Sequence, residues 1–359
     1  MIYQQSVFDK WPIDNESVQA IITSPPYYAL RKYDIPDVII GGVKDCQHNF
    51  EMSKDKILNL QAGNPEFKRT WRENATQTIN KGGFCIHCSA WKGQYGLEPT
   101  PQMYIEHTLL WAKEAWRVLK NDGIMFLNVA DSYAGGGKGN YGKGIATSVK
   151  ASANPNGNDF DYGDYPSKCK LMIPERIAIA LIDAGWTLRN SIVWYKVNAM
   201  PESVTDRFSK KYEPIFMFTK NEKYYFDLDA VKEPLKESTI QRAKYIYGTS
   251  GEKHTELRKQ SGKPQGWKNH IINKNPGDVW SIQTQPSSEK HYAMWPERLV
   301  ERMVKCSTKA GDTVLDPFAG SGSTLKVAEQ LQRKGIGIDL GYHEISKRRT
   351  SKIQRELFV

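Results

Sequence analysis

Val314-Leu315-Asp316-Pro317-Phe318-Ala319-Gly320-Ser321-Gly322-Ser323-Thr324 decides what kind of fold this chain adopts. A short apolar run at 313–316 reads as a buried strand that delivers Asp316 to its carboxyl end. Gly320 and Gly322 permit a tight turn and a close approach of backbone to a ligand. The residues after the turn predict a helix over 323–332, whose first N–H groups have no partner inside the helix. The next strand, 335–339, ends in Asp339, where a carboxylate can accept both hydroxyls of a ribose. A dinucleotide fingerprint would place a third glycine where Leu325 stands, so that ligand class is disfavoured.

Working outward, the rest of the chain alternates in the same way. Residues 17–23 read as a buried strand that runs into Ser24-Pro25-Pro26, where the prolines end ladder pairing. Residues 31–96 lack periodicity and read as an insertion outside the core. From Pro101, the apolar residues Ile105, Leu109, Ala112, Trp116 and Leu119 recur at helical spacing, with a stop at Asn121-Asp122-Gly123. A strand is predicted over 124–130 and a glycine-rich loop from there to about residue 166. A helix over 174–185, strands over 187–195 and 213–219, a helix over 296–306 and a closing charged helix over 342–356 complete the pattern. Strand–helix alternation at both ends predicts an α/β fold with a doubly wound, mostly parallel sheet.

Two motifs stand nearly three hundred residues apart: Thr23-Ser24-Pro25-Pro26-Tyr27-Tyr28 near the start and the glycine turn near the end. Together, and in this order, they resemble the beta-type amino-methylating DNA methyltransferases. The resemblance is good over 1–35, 97–230 and 275–345 and weak over 36–96 and 231–274. It implies a methyltransferase domain over 1–359 and S-adenosylmethionine as cofactor. The cofactor-binding residues it implies are Asp316, Pro317, Phe318, Gly320, Gly322, Ser323, Thr324 and Asp339, with Thr23 and Asp131 beside them. His291-Tyr292-Ala293-Met294-Trp295-Pro296 is similar to the family's segment over the methionine part of the cofactor. The catalytic residues it implies are Ser24, Pro25, Pro26 and Tyr27.

Amine methylation needs no covalent nucleophile; it needs an amine held in line and acceptors for the charge growing on nitrogen. The Ser24 hydroxyl and the Pro25 carbonyl can accept the amine hydrogens, and Tyr27 can stack on a base swung out of the duplex. Methylation at cytosine carbon 5 is disfavoured, because no cysteine follows a proline. Within the family, serine before Pro-Pro-Tyr implies cytosine N4, with adenine N6 as the alternative. Asp131 closes the strand before the glycine-rich loop and fits either a pocket wall or a strand-end cap.

A formal net charge of +10 suits a polyanion such as double-stranded DNA. Part of that excess is local. Residues 232–274 hold ten Lys/Arg against four Asp/Glu, interleaved with Tyr245, Tyr247, Trp267, Gln241, Gln265 and Asn269, and Arg242, Arg258, Gln265 or Asn269 can meet base edges in the major groove. Residues 231–275 stand where the beta-type enzymes carry their target-recognition region. No membrane span or signal peptide is read, so a cytoplasmic enzyme is expected. The family also admits a cognate restriction endonuclease as partner.

Five cysteines, an odd number, argue against a disulfide framework. Cys46-Gln47-His48 followed by Cys85-Ile86-His87-Cys88 is instead the spacing of a structural zinc site with ligands Cys46, His48, Cys85 and Cys88, inside an insertion at 40–96; His87 is the alternative donor, but Cys-x-x-Cys gives the better bite. The elements of zinc deaminases are missing, since Phe50 and Phe84 occupy the diagnostic places. Two rival readings are a non-catalytic zinc-bearing DNA-binding protein, and a methyltransferase acting on RNA or protein amines. Intact Asp316, Gly320, Gly322 and Asp339 weigh against the first, and the basic segment weighs against the second.

Overall fold

The computed structural model describes residues 1–50, 83–134, 165–239, 273–285 and 295–350. In chain order the first elements are β1 (Ile2–Tyr3), β2 (Val18–Thr23), β3 (Val38–Ile40), β4 (Trp91–Gly93), α1 (Pro101–Val118) and β5 (Leu119–Asn128). They are followed by α2 (Ile173–Asp183), β6 (Thr187–Tyr195), β7 (Tyr212–Thr219), β8 (Glu233–Pro234), β9 (Asn273–Lys274) and β10 (Val279–Ser281). The chain continues through α3 (Glu297–Ser307), β11 (Thr313–Asp316), α4 (Ser323–Gln330), β12 (Lys334–Ile338) and α5 (His343–Thr350).

Eight strands form one sheet in the order β1-β12-β11-β2-β5-β7-β6-β10. All neighbours run parallel except β7, which is antiparallel to both β5 and β6. Strand β2 lies inside the sheet and is buried along its whole length. Its side chains alternate between two cores, as the pleat demands. From Ala20 on, Ile21 joins a cluster with α1 and α2, while Ala20 and Ile22 join one with α3 and α4; Val18, on the far side of the irregularity between Val18 and Ala20, also joins the first. Helices on both faces explain why the central strands read as continuous apolar runs. The expected doubly wound sheet is present.

The chain differs from its sequence reading at Asn121-Asp122-Gly123. The helix already ends at Val118, and these residues bulge out of β5, because Val18 pairs with Leu119 while Ala20 pairs with Ile124. A Cβ on Gly123 would lie 2.7 Å from Leu119 Cδ1 and 2.9 Å from the Gln19 carbonyl, so the bulge requires glycine. Edge strands β1 and β10, two and three residues long, are too short to show periodicity. The insertion contributes β3 and β4, which pair antiparallel. It does not lie outside the core as its sequence suggests: Ile40, Phe84, Trp91 and Tyr95 are buried in the cluster with α1 and α2.

Of the basic segment, only the two ends are described. They pair through β8 and β9, with Glu233 opposite Lys274. The glycine-rich loop beyond Ala134, residues 291–294 and the base-contact candidates Arg242, Arg258, Gln265 and Asn269 lie outside the described residues.

Candidate active site

Strands β11 and β2 are parallel neighbours, with Leu315 beside Ile21, so their carboxyl ends open on the same edge of the sheet. This brings together the two motifs that the sequence separates. The Thr23 hydroxyl donates to Asp316 Oδ1 at 2.7 Å, and the Thr324 hydroxyl donates to Oδ2 at 2.8 Å. The Phe318 N–H adds a third bond, 3.0 Å from Oδ1. Asp316 is buried, and burial pushes its pKa up to about 6 against the lowering effect of these three donors. Its carboxylate therefore clips strand β2, the glycine turn and helix α4 to one point.

Gly320 and Gly322 take φ of 51° and 78°, the left-handed region that favours glycine. Gly322 is also the residue from which α4 starts. The sequence marks it for a close approach of backbone to a ligand; packing on α5 requires glycine there as well. A Cβ there would sit 2.2 Å from Ser346 Oγ on α5. The Phe318 ring stacks on Tyr95 at 5.6 Å and meets Trp111 edge-on at 5.3 Å, which anchors the turn to the α1 side of the core.

Asp339 follows β12, next to this turn. Its Oδ2 accepts the Gly320 N–H at 2.9 Å, and its Oδ1 accepts the N–H groups of Gly341 and Tyr342. The carboxylate thus shapes the turn in which it stands. A carboxylate beside a glycine turn, at the carboxyl edge of a parallel sheet, fits the ribose and backbone contacts that an adenosyl cofactor demands. Asp339, the turn at 317–320 and the first residues of α4 are the groups available to hold one.

In the Ser-Pro-Pro-Tyr turn, Pro25 is buried and Ser24, Pro26 and Tyr27 are partly buried. The Tyr104 hydroxyl donates to the Pro26 carbonyl at 2.7 Å, and the Ala29 N–H donates to the Gly96 carbonyl at 2.8 Å. Ser24 Oγ donates to the Tyr27 hydroxyl at 3.1 Å. That hydroxyl in turn lies 2.7 Å from Asn128 Oδ1 and 3.0 Å from Glu213 Oε2, both acceptors. Glu213 is ion-paired to Lys196, and the Asn128 amide is fixed by the Pro214 carbonyl at 2.9 Å. Burial, then the Glu213 charge, hold the Tyr27 pKa well above the usual phenol value, so Tyr27 stays a donor. The polarity of the network runs one way, from Ser24 to Tyr27 and on to Asn128 and Glu213, two acceptors that share the single phenol hydrogen. The Ser24 hydrogen is taken up inside the network, which leaves its oxygen lone pairs for an incoming donor.

Asn128, Glu213 and Lys196 are absent from the sequence reading. A buried amide closing the apolar strand β5, and a carboxylate opening the apolar run of β7, were the signals that could have found them. Asp131 is a cap in the structure. Its Oδ1 accepts from Ser132 N at 2.9 Å and Ile173 N at 3.0 Å, and its Oδ2 accepts from Met172 N at 3.0 Å, at the start of α2. The structure also gathers Cys46, His48, Cys85 and Cys88, whose ligand atoms all lie within 4.8 Å of one another.

The fold and the joined motifs define the class: an α/β methyltransferase in which the Ser-Pro-Pro-Tyr turn stands beside the glycine turn. The chain belongs to the N6/N4 DNA methylase family, whose model matches residues 18–348. It is 36% identical over 325 residues to the type II methyltransferase M.Cfr9I of Citrobacter freundii, covering 90% of this chain and 77% of that protein. It is 33% identical over 264 residues to the type II methyltransferase M.SmaI of Serratia marcescens, covering 72% of this chain and 77% of that protein. Its fold is similar to that of the PvuII DNA methyltransferase (cytosine-N4-specific), with a TM-score of 0.54 and 16% identity over 99% of this chain and 87% of that one. Among the described residues, no helix is long and apolar enough to cross a membrane.

Proposed function

We propose that this DNA methyltransferase modifies cytosine N4 at a specific duplex sequence, as the modification partner of a restriction endonuclease. The observation that carries the site assignment is the 2.7 Å bond from Thr23 to Asp316, which ties the acceptor turn to the cofactor turn. Kinship to proteins named type II methyltransferases supports the sequence-specific, restriction-linked role. S-adenosylmethionine, when bound, supplies an electrophilic methyl group on a sulfonium. The chain then has to place a base amine in line and hold its hydrogens. Ser24 Oγ accepts one amine hydrogen, because its own hydrogen is given to Tyr27. The Pro25 carbonyl accepts the other. Both acceptors draw positive charge from the nitrogen as it forms its new bond.

Serine at the head of the turn favours cytosine N4 over adenine N6. The test is nucleoside analysis of duplex DNA methylated by the purified protein. N4-methyldeoxycytidine is expected at one sequence context. N6-methyldeoxyadenosine would overturn the choice of base, and methyl transfer to RNA alone would overturn the choice of polymer.

A further inference from the structure

We propose that Cys46, His48, Cys85 and Cys88 bind one structural zinc ion, and that this ion braces the strand pair on which the Ser-Pro-Pro-Tyr turn rests. Tetrahedral coordination with Zn–S bonds of about 2.3 Å sets two sulfurs about 3.8 Å apart. Cys46 Sγ and Cys85 Sγ are 3.8 Å apart. A sulfur and an imidazole nitrogen on the same ion stand about 3.6 Å apart, and Cys88 Sγ lies 3.3 Å from His48 Nδ1. A disulfide needs about 2.05 Å, and Cys46, Cys85 and Cys88 are all free cysteines. Three thiolates and one imidazole in a closed tetrahedron suit zinc and leave no open position for catalysis.

The surrounding backbone is built for this geometry. The Ser89 N–H bonds the Cys85 carbonyl at 2.9 Å, closing a tight turn between the second pair of ligands. The His87 N–H points at Cys85 Sγ from 3.4 Å, a donor that suits a thiolate. The Ile86 N–H bonds the Asn49 carbonyl at 2.9 Å, which joins the two halves of the site. Gly42 has φ of 80°, and a Cβ on it would meet Cys88 Sγ at 2.8 Å and Ala90 Cβ at 2.6 Å. The first half therefore packs on the second at a distance that only glycine allows.

From this cluster the chain runs straight to the catalytic turn. Cys85 N bonds the Ala90 carbonyl at 2.7 Å, and β4 follows at once. The Gln94 amide, just after β4, holds the Ile35 carbonyl at 2.6 Å and the Tyr33 N–H at 3.2 Å. Gly96 then meets the turn. Its carbonyl accepts the Ala29 N–H, and a Cβ on it would lie 3.0 Å from Pro26 Cβ. Ile40, Phe84, Trp91 and Tyr95 pack this strand pair into the core beside α1, so the metal adds a fixed end to an already buried element: it locks the two ligand turns against each other.

The zinc assignment is independent of the proposed function; only the importance of the brace rests on it. Elemental analysis of full-length protein purified without chelator should find about one zinc per chain. Cys85→Ser should lose it, and His48→Cys, which keeps four soft ligands, should retain it. If Cys85→Ser does not fold, wild-type protein stripped by a mercurial and a chelator serves instead. Amide exchange should then rise at 26–30 and 83–96 while β11 and β12 stay protected, and added zinc should reverse the change. No stoichiometric zinc as purified, with no uptake of added zinc, would overturn the site. Zinc release that leaves exchange at 26–30 unchanged would overturn the brace, whatever the methylation activity does.

Discussion

Asp316 is the residue whose titration the molecule registers. Its pKa in the fold is about 6, above that of an exposed aspartate, because burial outweighs its three donors. A raised folded-state pKa means that the native state keeps its proton when the unfolded chain has lost it. This contribution to stability is therefore fully present below about pH 4 and is lost as pH rises through about 6. Thermal unfolding of wild type and Asp316→Asn across that window should show the wild type losing ground to the variant as pH rises. Parallel curves would place the titration elsewhere. Ser24→Ala should lower turnover by about a hundredfold to a thousandfold, the scale for losing one group that stabilises a developing charge, with the Pro25 carbonyl remaining. Tyr27→Phe keeps the ring and removes the hydroxyl that takes the Ser24 hydrogen, so it should lower turnover in the same direction with cofactor affinity near wild type. If Tyr27→Phe is fully active in single-turnover assays, the hydroxyl network has no part in the chemistry. Asp339→Ala should weaken S-adenosylmethionine binding by roughly 1–3 kcal/mol in titration calorimetry. Because Asp339 also holds Gly320, Gly341 and Tyr342, chemical stability should fall with it. At this scale, local motifs were enough to mark the two turns that carry Ser24, Tyr27, Asp316 and Asp339, which the structure joins through Thr23 and Asp316. Asn128 and Glu213 were not legible, because they meet Tyr27 across 101 and 186 residues of chain, and no local spacing records such a pairing.

Among the elements, the glycine turn shows how a legible position can have an illegible cause. The sequence marks Gly322 as special; the packing of α5 explains the close approach that it permits. Gly322→Ala should destabilise by about 1–3 kcal/mol, from overpacking against Ser346 and from a φ that alanine resists. The two causes can be separated by urea unfolding of a double-mutant cycle. Ser346→Ala removes the atom 2.2 Å from the new Cβ, so the Gly322→Ala penalty should shrink in that background but not vanish. An unchanged penalty would mean that backbone strain alone is responsible. Helices and central strands were readable because their apolar periodicity extends over eight or more residues, or because both faces are buried. The helix-to-strand join at Leu119 was misread, since Asn121-Asp122-Gly123 carries the composition of a stop while serving as a bulge. Strands β1, β3, β4 and β10 have two or three residues each, and pairing rather than pattern makes them strands.

For the whole molecule, the question is how a catalytic edge built from β2, β11 and β12 is brought to one DNA sequence. The chain carries a formal +10, and residues 232–274 hold a local excess of six positive charges, ten Lys/Arg less four Asp/Glu. Counterion release makes such an excess effective on any DNA, so charge alone explains affinity and its salt dependence, not choice of site. Choice needs side chains at base edges, and Arg242, Arg258, Gln265 and Asn269 have the required chemistry. The structure makes the segment separable, because its two ends pair as β8 and β9 outside the main sheet. A neutral linker joining residues 235 and 272 should leave the main sheet and cofactor binding intact. Affinity for all DNA should fall and its salt dependence should flatten, with a slope smaller by about one for each phosphate contact removed. Sequence preference should be lost as well, read by sequencing the methylated products of a random duplex library. Single substitutions should divide the two effects. A phosphate-contacting lysine should change the salt slope at every sequence, while a base-reading arginine should cost about 1–3 kcal/mol at one position only. If the linker variant methylates the same sequence as wild type, recognition resides outside 232–274, and the metal-bearing insertion at 40–96 becomes the surface to mutate next.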